Sequence, residues 1–391
     1  MDTKIILKKL ESREIEPEQA KEQLSAMKLE EDSIAIIGMS GRYAQSDDIK
    51  EYWYNLSEGA DCITDIPKAR WDIKEYYNPQ IGKEGKSYCN QIGLINNYEY
   101  FSPSFFEITP KEAEEMDPQH RLFLSEGYKA FEDAGYSQQK LNNKRCGVYL
   151  GIAESIANMG EKGISATGSS NAIAASRIAY YLNLKGPAIA IDTACSSSGV
   201  ALHIAIQALH NGEIDMALVG GVCLYLQPEA YISMCATGML SPSGRCKTFD
   251  NSADGFVPGE GVGTLILKKL RDAQRDHDHI YGCIIASGLN QDGKTNGITV
   301  PNLESQKELV ATLYEKKNIS PESITYAEFH GTGTKLGDPI ELESLSEAFA
   351  KKTKKKHYCG IGSVKSIFGL SSRQILNEGY KNYFLSFNII L

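Results

Sequence analysis

At 391 residues the chain is long enough for one large domain or two fused halves, and its 42% hydrophobic and 23% charged content is ordinary for a water-soluble globular fold. A net charge of −9 without an arginine-rich face argues against nucleic acid as the main partner. No apolar run approaches the roughly 18 residues of a membrane span. The N-terminus has no signal-peptide core, and the nine cysteines form an odd, scattered set without a CxxC pair. Neither a disulfide framework nor a zinc site is therefore expected, and a reducing, cytoplasmic setting is.

Residues 1–32, rich in Lys and Glu, predict a helical linker. Ser33 to Gly38 (SIAIIG) predicts a short strand ending at the glycine, followed by a turn through MSGRYAQSDD. Residues 47–124 are loop-rich with aromatic anchors, a pattern expected to wrap the domain or form a partner surface. Within them, Asp117-Pro118 opens a helix with Leu122, Phe123, Tyr128 and Phe131 on its apolar side. CGVYLGI at 146–152 predicts a strand, and 167–184 a small-residue helix expected to pack closely against the strand–turn–helix unit that follows from Pro187.

Pro187 to Gly199 (PAIAIDTACSSSG) is the stretch around which the rest is organised. Ile189 and Ile191 alternate with alanines as in a short strand buried in a sheet. The chain turns at Asp192-Thr193-Ala194, passes Cys195, and enters a helix whose apolar spacing ends at Gly212, a C-cap residue. Unpaired N–H groups at a helix start stabilise a thiolate, so Cys195 is placed as a nucleophile rather than as an apolar filler. The following serines and Gly199 leave room for a thioester.

DMALVGGV at 215–222 and Gly263 to Leu267 predict two further strands. PGEGVG, just before the second, lacks the lysine and spacing of a nucleotide-binding loop. His277 and His279 (RDHDH) lie in a charged stretch that predicts solvation, not metal binding. Ile324 to Phe329 predicts a strand from whose end His330 emerges into GTGT. Asp338-Pro339-Ile340-Glu341 then predicts a helix start, with Asp338 as cap and Glu341 completing a capping box. Cys195 and His330 thus each follow a strand's C-terminal end, where open α/β sheets gather their active sites.

DTACSSS at 192–198 and HGTGTKLGDP at 330–339 together resemble the β-ketoacyl synthase family, in particular the ketosynthase domains of modular bacterial polyketide synthases. SIAIIGMSGRY, DPQHR, GMLSPSGRCKTFDNSADGFVPGEGVG and GSVKS are similar to its text in consistent order over residues 33–366. The resemblance implies a thiolase-like α/β fold of two related halves in αβαβα layers, usually dimeric, with an N-terminal half at 33–270 and a partial C-terminal half at 271–366. It implies decarboxylative Claisen condensation, with Cys195 accepting an acyl chain, His330 serving decarboxylation or the carbanion, and Lys365 orienting the site electrostatically. The implied partners are acyl carrier proteins bearing acyl and malonyl thioesters on phosphopantetheine, with no permanently bound cofactor.

The family's next motif, KSNIGHLEAAAG, carries a second catalytic histidine. Here Lys365-Ser366 is followed by IFGLSSRQILNEGYKNYFLSFNIIL, and no histidine follows His357. We read 367–391 as an aberrant tail, a frameshifted version of the missing motif, which sequencing the encoding DNA checks. The second half is then incomplete, with marginal stability and exposed apolar surface expected. Two functional readings follow: a condensing enzyme impaired by the missing histidine, and a non-elongating scaffold that docks or gates carrier proteins.

Overall fold

The computed structural model describes residues 3–21, 24, 32–153, 166–297, 299–370 and 389–390. The N-terminal stretch is helical in α1 (Thr3–Glu11) and again over 17–21. Near-continuous apolar runs then build a six-stranded mixed sheet. Its strands are β1 (Ile34–Tyr43) and, after the short pair β2 (Ile63–Asp65) and β3 (Gln91–Gly93), β4 (Cys146–Gly151), β5 (Ala188–Ile191), β6 (Met216–Cys223), β7 (Gly261–Lys269) and β8 (Gly282–Ile284). The order across the sheet is β5-β4-β6-β7-β1-β8, with β5, β4 and β6 parallel and β7 antiparallel to both its neighbours.

Successive side chains leave opposite faces of a strand. Val148, Leu150, Leu218 and Ile266 therefore enter one core with helices α2 (Pro118–Asp133) and α3 (Asn171–Tyr181), while Tyr149, Val219, Leu265 and Leu267 enter another with α4 (Ser197–His210). Cover on both faces is why these strands read as unbroken apolar text. α2 begins as its sequence dictates, the Asp117 carboxylate accepting the Gln119 N–H.

Three expectations are corrected. β1 runs on to Tyr43, paired with β7 through the stretch read as a turn. Its register shifts between Ile36 and Gly38, and a Cβ at Gly38 would lie 2.5 Å from the Ala130 carbonyl of α2. That glycine marks a bulge under a closely crossing helix, not a strand end. β5 is an edge strand among the described residues, with Ile189 38% exposed, so its Ile/Ala alternation records one open side rather than burial. The helix expected over 167–184 is interrupted at Ser170, whose backbone is extended, and α3 starts afresh at Asn171.

In the second half, β9 (Ala286–Ser287) pairs with residues 389–390. α5 (Leu303–Lys316) and α6 (Gly337–Ala350) pack together beside β10 (Tyr326–Glu328) and β11 (Gly360–Gly362), which form a two-stranded parallel sheet. Val310, Leu313, Ala327, Phe329 and Leu345 are buried between them.

The chain around α7 (Lys365–Phe368) docks onto the first half. Val364 and Phe368 are buried with Tyr43, Tyr52 and Cys62, and Phe368 stacks on Tyr52 at 4.7 Å. The Leu370 N–H donates to the Val257 carbonyl (2.6 Å), and the Leu370 carbonyl accepts from Gly259 (2.8 Å). PGEGVG, which lacks the marks of a nucleotide-binding loop, is thus the dock for residues 367–370. Its Glu260 is buried, ion-paired to Arg70 at 2.8 Å, and its N–H donates to Gly93 (2.7 Å). The remainder of the reading of 367–391, its origin included, falls on residues 371–388 and 391, outside the described residues.

Candidate active site

Cys195 stands exposed on the elbow between β5 and α4. Ala194, just before it, has φ 57°, the left-handed region that a side chain enters only when its surroundings enforce it. The enforcing bonds are local. Asp192 accepts the Ala194 N–H (3.0 Å), Ser197 Oγ accepts the Thr193 N–H (2.9 Å) and donates to the Ala194 carbonyl (2.7 Å), and Ser196 Oγ donates to the Thr193 carbonyl (2.8 Å). The serines that the sequence offered as small neighbours are the stitches of the turn. Gly151, at the end of β4, lets the helix start lie against the strand: a Cβ there would be 2.7 Å from the Ser198 nitrogen.

His330 leaves the end of β10 into a loop in which Gly331 and Gly333 have φ 47° and 65°. α6 starts at Gly337, whose N–H is capped by Thr334 Oγ1 at 3.1 Å, so Asp338 lies inside the first turn and is not the cap. Released from that duty, its carboxylate reaches back to the N–H groups of Gly333 (3.1 Å) and Phe249 (2.8 Å). Glu341, one turn on, accepts from the N–H groups of His330 (2.6 Å) and Gly331 (3.0 Å). On its other side the Gly331 carbonyl accepts from Thr248 Oγ1 at 2.7 Å.

Lys365 begins α7 and is 5% exposed. Its ammonium acts on His330, Glu341 and Glu328, so the structure brings Lys365 and His330 into one electrostatic cluster, while Cys195 belongs to the separate elbow of the first half. Burial, reinforced by Lys365, pushes the His330 imidazole down to about 3 and leaves it uncharged at neutral pH. Burial raises Glu341 and Glu328, against the pull of Lys365 in both. A neutral imidazole has one N–H to donate and one nitrogen to accept. An exposed thiol can act as a nucleophile, a neutral imidazole can donate one hydrogen bond, and a buried ammonium can stabilise negative charge.

Sequence reasoning missed Glu341 and Asp338 as loop clamps and Glu328 altogether. The available signal was two carboxylates, three residues apart, directly after a glycine-rich loop whose N–H groups need acceptors. By count from Lys365-Ser366, with Gly369 matching the motif's glycine, the place of the second histidine is taken by Leu370. Its side chain is buried among Trp71, Tyr88, Ile92, Leu240 and Phe256. His277 and His279 are exposed, and among the described residues no group of three or more His, Cys, Asp or Glu is placed to hold a metal ion. No helix among them is long and apolar enough to cross a membrane.

Residues 31–273 match the model of the beta-ketoacyl synthase N-terminal domain, and residues 281–372 that of its C-terminal domain. The chain is 60% identical over 361 residues to polyketide synthase PksL of Bacillus subtilis, covering 92% of this chain and 8% of that protein. It is 44% identical over 345 residues to polyketide synthase ThaG of Burkholderia thailandensis, covering 86% of this chain and 6% of that one. Among solved structures, the ketosynthase from module 6 of the bacillaene synthase of Bacillus subtilis superposes with a TM-score of 0.81 at 60% identity, over 87% of this chain and 58% of that one. An oxazolomycin ketosynthase domain from Streptomyces albus gives 0.83 at 38% identity, over 87% and 60%. The chain therefore spans less than two thirds of the solved ketosynthases and a small part of the synthases it matches. From its family-model matches, these relatives and its thiolase-like α/β fold, the chain belongs to the β-ketoacyl synthase family.

Proposed function

We propose that the chain performs the acyl-transfer chemistry of a polyketide synthase ketosynthase, and the observation that carries this reading is an exposed cysteine on a strained strand-to-helix elbow in a chain that also holds a neutral histidine against a buried lysine. The Cys195 thiolate attacks the thioester carbonyl of an acyl chain carried on phosphopantetheine, and the backbone N–H of Cys195 stabilises the tetrahedral oxyanion. Collapse releases the pantetheine thiol and leaves the acyl-cysteine. A malonyl thioester then loses carbon dioxide. His330 donates a hydrogen bond to the enolate oxygen, and burial, reinforced by Lys365, keeps that imidazole in its donating, uncharged form. The carbanion attacks the acyl-cysteine carbonyl, forming the new carbon–carbon bond and returning the thiolate.

The partners in this reading are acyl carrier proteins, which bring the phosphopantetheine, so the chain itself holds no permanent cofactor. It works in the cytoplasm with halves at 33–270 and 271–366. The open edge of β5, with Ile189 exposed, supports pairing with a second copy.

Leu370 favours the second reading, a non-elongating scaffold. An apolar side chain at the count of the second histidine removes a hydrogen-bond donor from the decarboxylation step while leaving acylation untouched. Incubating acylated chain with malonyl-pantetheine and following carbon dioxide and β-ketoacyl product separates the two. Product formation supports the condensing enzyme. A stable acyl-enzyme with no carbon dioxide released supports the scaffold.

A further inference from the structure

Glu328 has no role in the proposed chemistry, yet it is a carboxylate 1% exposed at the heart of the second half. It is the last residue of β10, paired with Gly362 of β11, and the ladder continues through the Phe329 N–H to the Gly362 carbonyl at 2.9 Å. Past that point the ladder ends, one segment continuing to His330 and the other to Lys365, with Ser363 Oγ still reaching the His330 carbonyl at 3.5 Å. The Glu328 side chain reaches from one segment to the other. One carboxylate oxygen accepts the Val364 N–H at 2.8 Å, immediately before Lys365, and the other accepts the Tyr326 hydroxyl at 2.7 Å.

Glu341 performs the matching task for the other loop, holding the N–H groups of His330 and Gly331. Each of the two loops that present imidazole and ammonium is thus held by a glutamate carboxylate, the His330 loop also by Asp338, and both glutamates feel the Lys365 ammonium. A glutamine at 328 offers the same carbonyl oxygen to Val364 without the cost of burying a charge. What it lacks is the negative charge facing Lys365.

We infer that Glu328 is a positioning residue for the proposed ketosynthase chemistry: by holding the Val364 N–H and facing the Lys365 ammonium with its charge, it sets that ammonium against His330. The inference rests on the reading proposed above. It assigns Glu328 no contact with substrate; its effect passes entirely through Lys365.

The experiment compares the full chain with Glu328→Gln, which keeps an acceptor oxygen for the Val364 N–H, removes the charge and turns the group facing the Tyr326 hydroxyl into a donor, and with Glu328→Ala, which removes acceptors and charge together. Two measurements are made on each. The first is the pulsed acetylation of each lysine by trace acetic anhydride, read by mass spectrometry against the exposed lysines as internal standards. With the facing charge gone, Lys365 in Glu328→Gln labels at least about threefold faster while the protein keeps its melting temperature. The second is decarboxylation of malonyl-pantetheine, expected to fall roughly tenfold in kcat with little change in KM, while acylation of Cys195 stays near the parent rate. Unchanged Lys365 labelling in a folded Glu328→Gln overturns the inference and leaves Glu328 a backbone clamp. A parent chain that decarboxylates nothing counts against condensation and not against Glu328, whose role the labelling then decides alone. If Glu328→Ala does not fold, Glu328→Gln still gives both readings.

Discussion

Replacing Arg70 by Met tests how the Lys365 segment is held. The Arg70 guanidinium lies 2.8 Å from Glu260, their side chains are 3% and 0% exposed, and it also covers the Tyr98 ring at 3.6 Å. Glu260 accepts the N–H groups of Tyr225 (3.0 Å) and Ile95 (3.3 Å), so it anchors the loop on which Leu370 docks. Burial outweighs the pull of Arg70 and pushes the Glu260 carboxyl from 4.5 up to about 7. An acid raised in the folded state holds a proton that the unfolded chain releases. Its contribution to stability is therefore fully present below pH 4.5 and is lost as pH rises toward 7, by up to roughly 1.4 kcal/mol per pH unit. Without Arg70 the folded value rises further and the loss continues to higher pH. At pH 5 the variant is expected to lack only a hydrogen bond and a cation–π contact, about 1–2 kcal/mol. At pH 8.5 it carries an unpaired buried carboxylate, a cost of about 3–5 kcal/mol.

Urea unfolding followed by tryptophan fluorescence reads both conditions, because Trp71 is buried in the cluster that also holds Leu370. Adding Glu260→Gln to Arg70→Met is expected to recover most of the high-pH loss. An equal deficit at pH 5 and pH 8.5, unaltered by the second substitution, would show instead that no buried charge had been orphaned.

Other outcomes are expected. Glu341→Ala leaves the N–H groups of His330 and Gly331 without their acceptor, costing about 2–3 kcal/mol and speeding amide exchange at Gly331, which hydrogen-exchange mass spectrometry reads. His330, depressed to about 3 from 6.5, sheds a proton that the unfolded chain keeps. Its contribution to stability is complete above pH 6.5 and is lost as pH falls toward 3, so His330→Gln flattens the acid limb of a melting-temperature profile. Phe368→Ala removes a buried ring stacked on Tyr52, at a cost of about 3–5 kcal/mol by denaturant titration. If copies pair through the open edge of β5 as proposed, Ile189→Asp places a charge on that edge and is expected to lower the mass read by light scattering to that of one chain.

The sequence revealed most where local pattern and tertiary role coincide. The β5–Cys195–α4 unit was legible because a strand, a turn and a helix of strong periodicity follow one another within 25 residues, Pro187 to Asn211. The glycines misled where they serve close packing. Gly38 looked like a strand end because its use, admitting α2 against β1, involves a helix some 90 residues away in the chain. Asp338 and Glu341 matched a capping signature, and only the folded loop shows that their carboxylates face backward onto the N–H groups of the His330 loop rather than onto their own helix. Glu328 was invisible because its partner Val364 lies just past the parallel strand β11, and parallel pairing leaves no local mark. The dock for residues 367–370 was equally hidden: PGEGVG reads as a flexible loop until Glu260 finds Arg70.

The most direct measurement treats the chain with one equivalent of an acyl-pantetheine thioester, digests it and locates the acyl group among the nine cysteines. The label is expected on Cys195 alone, with a Cys195→Ala chain remaining unmodified. Acyl label spread over other cysteines, or a folded chain that takes up none, would contradict the assignment of Cys195 as the nucleophile.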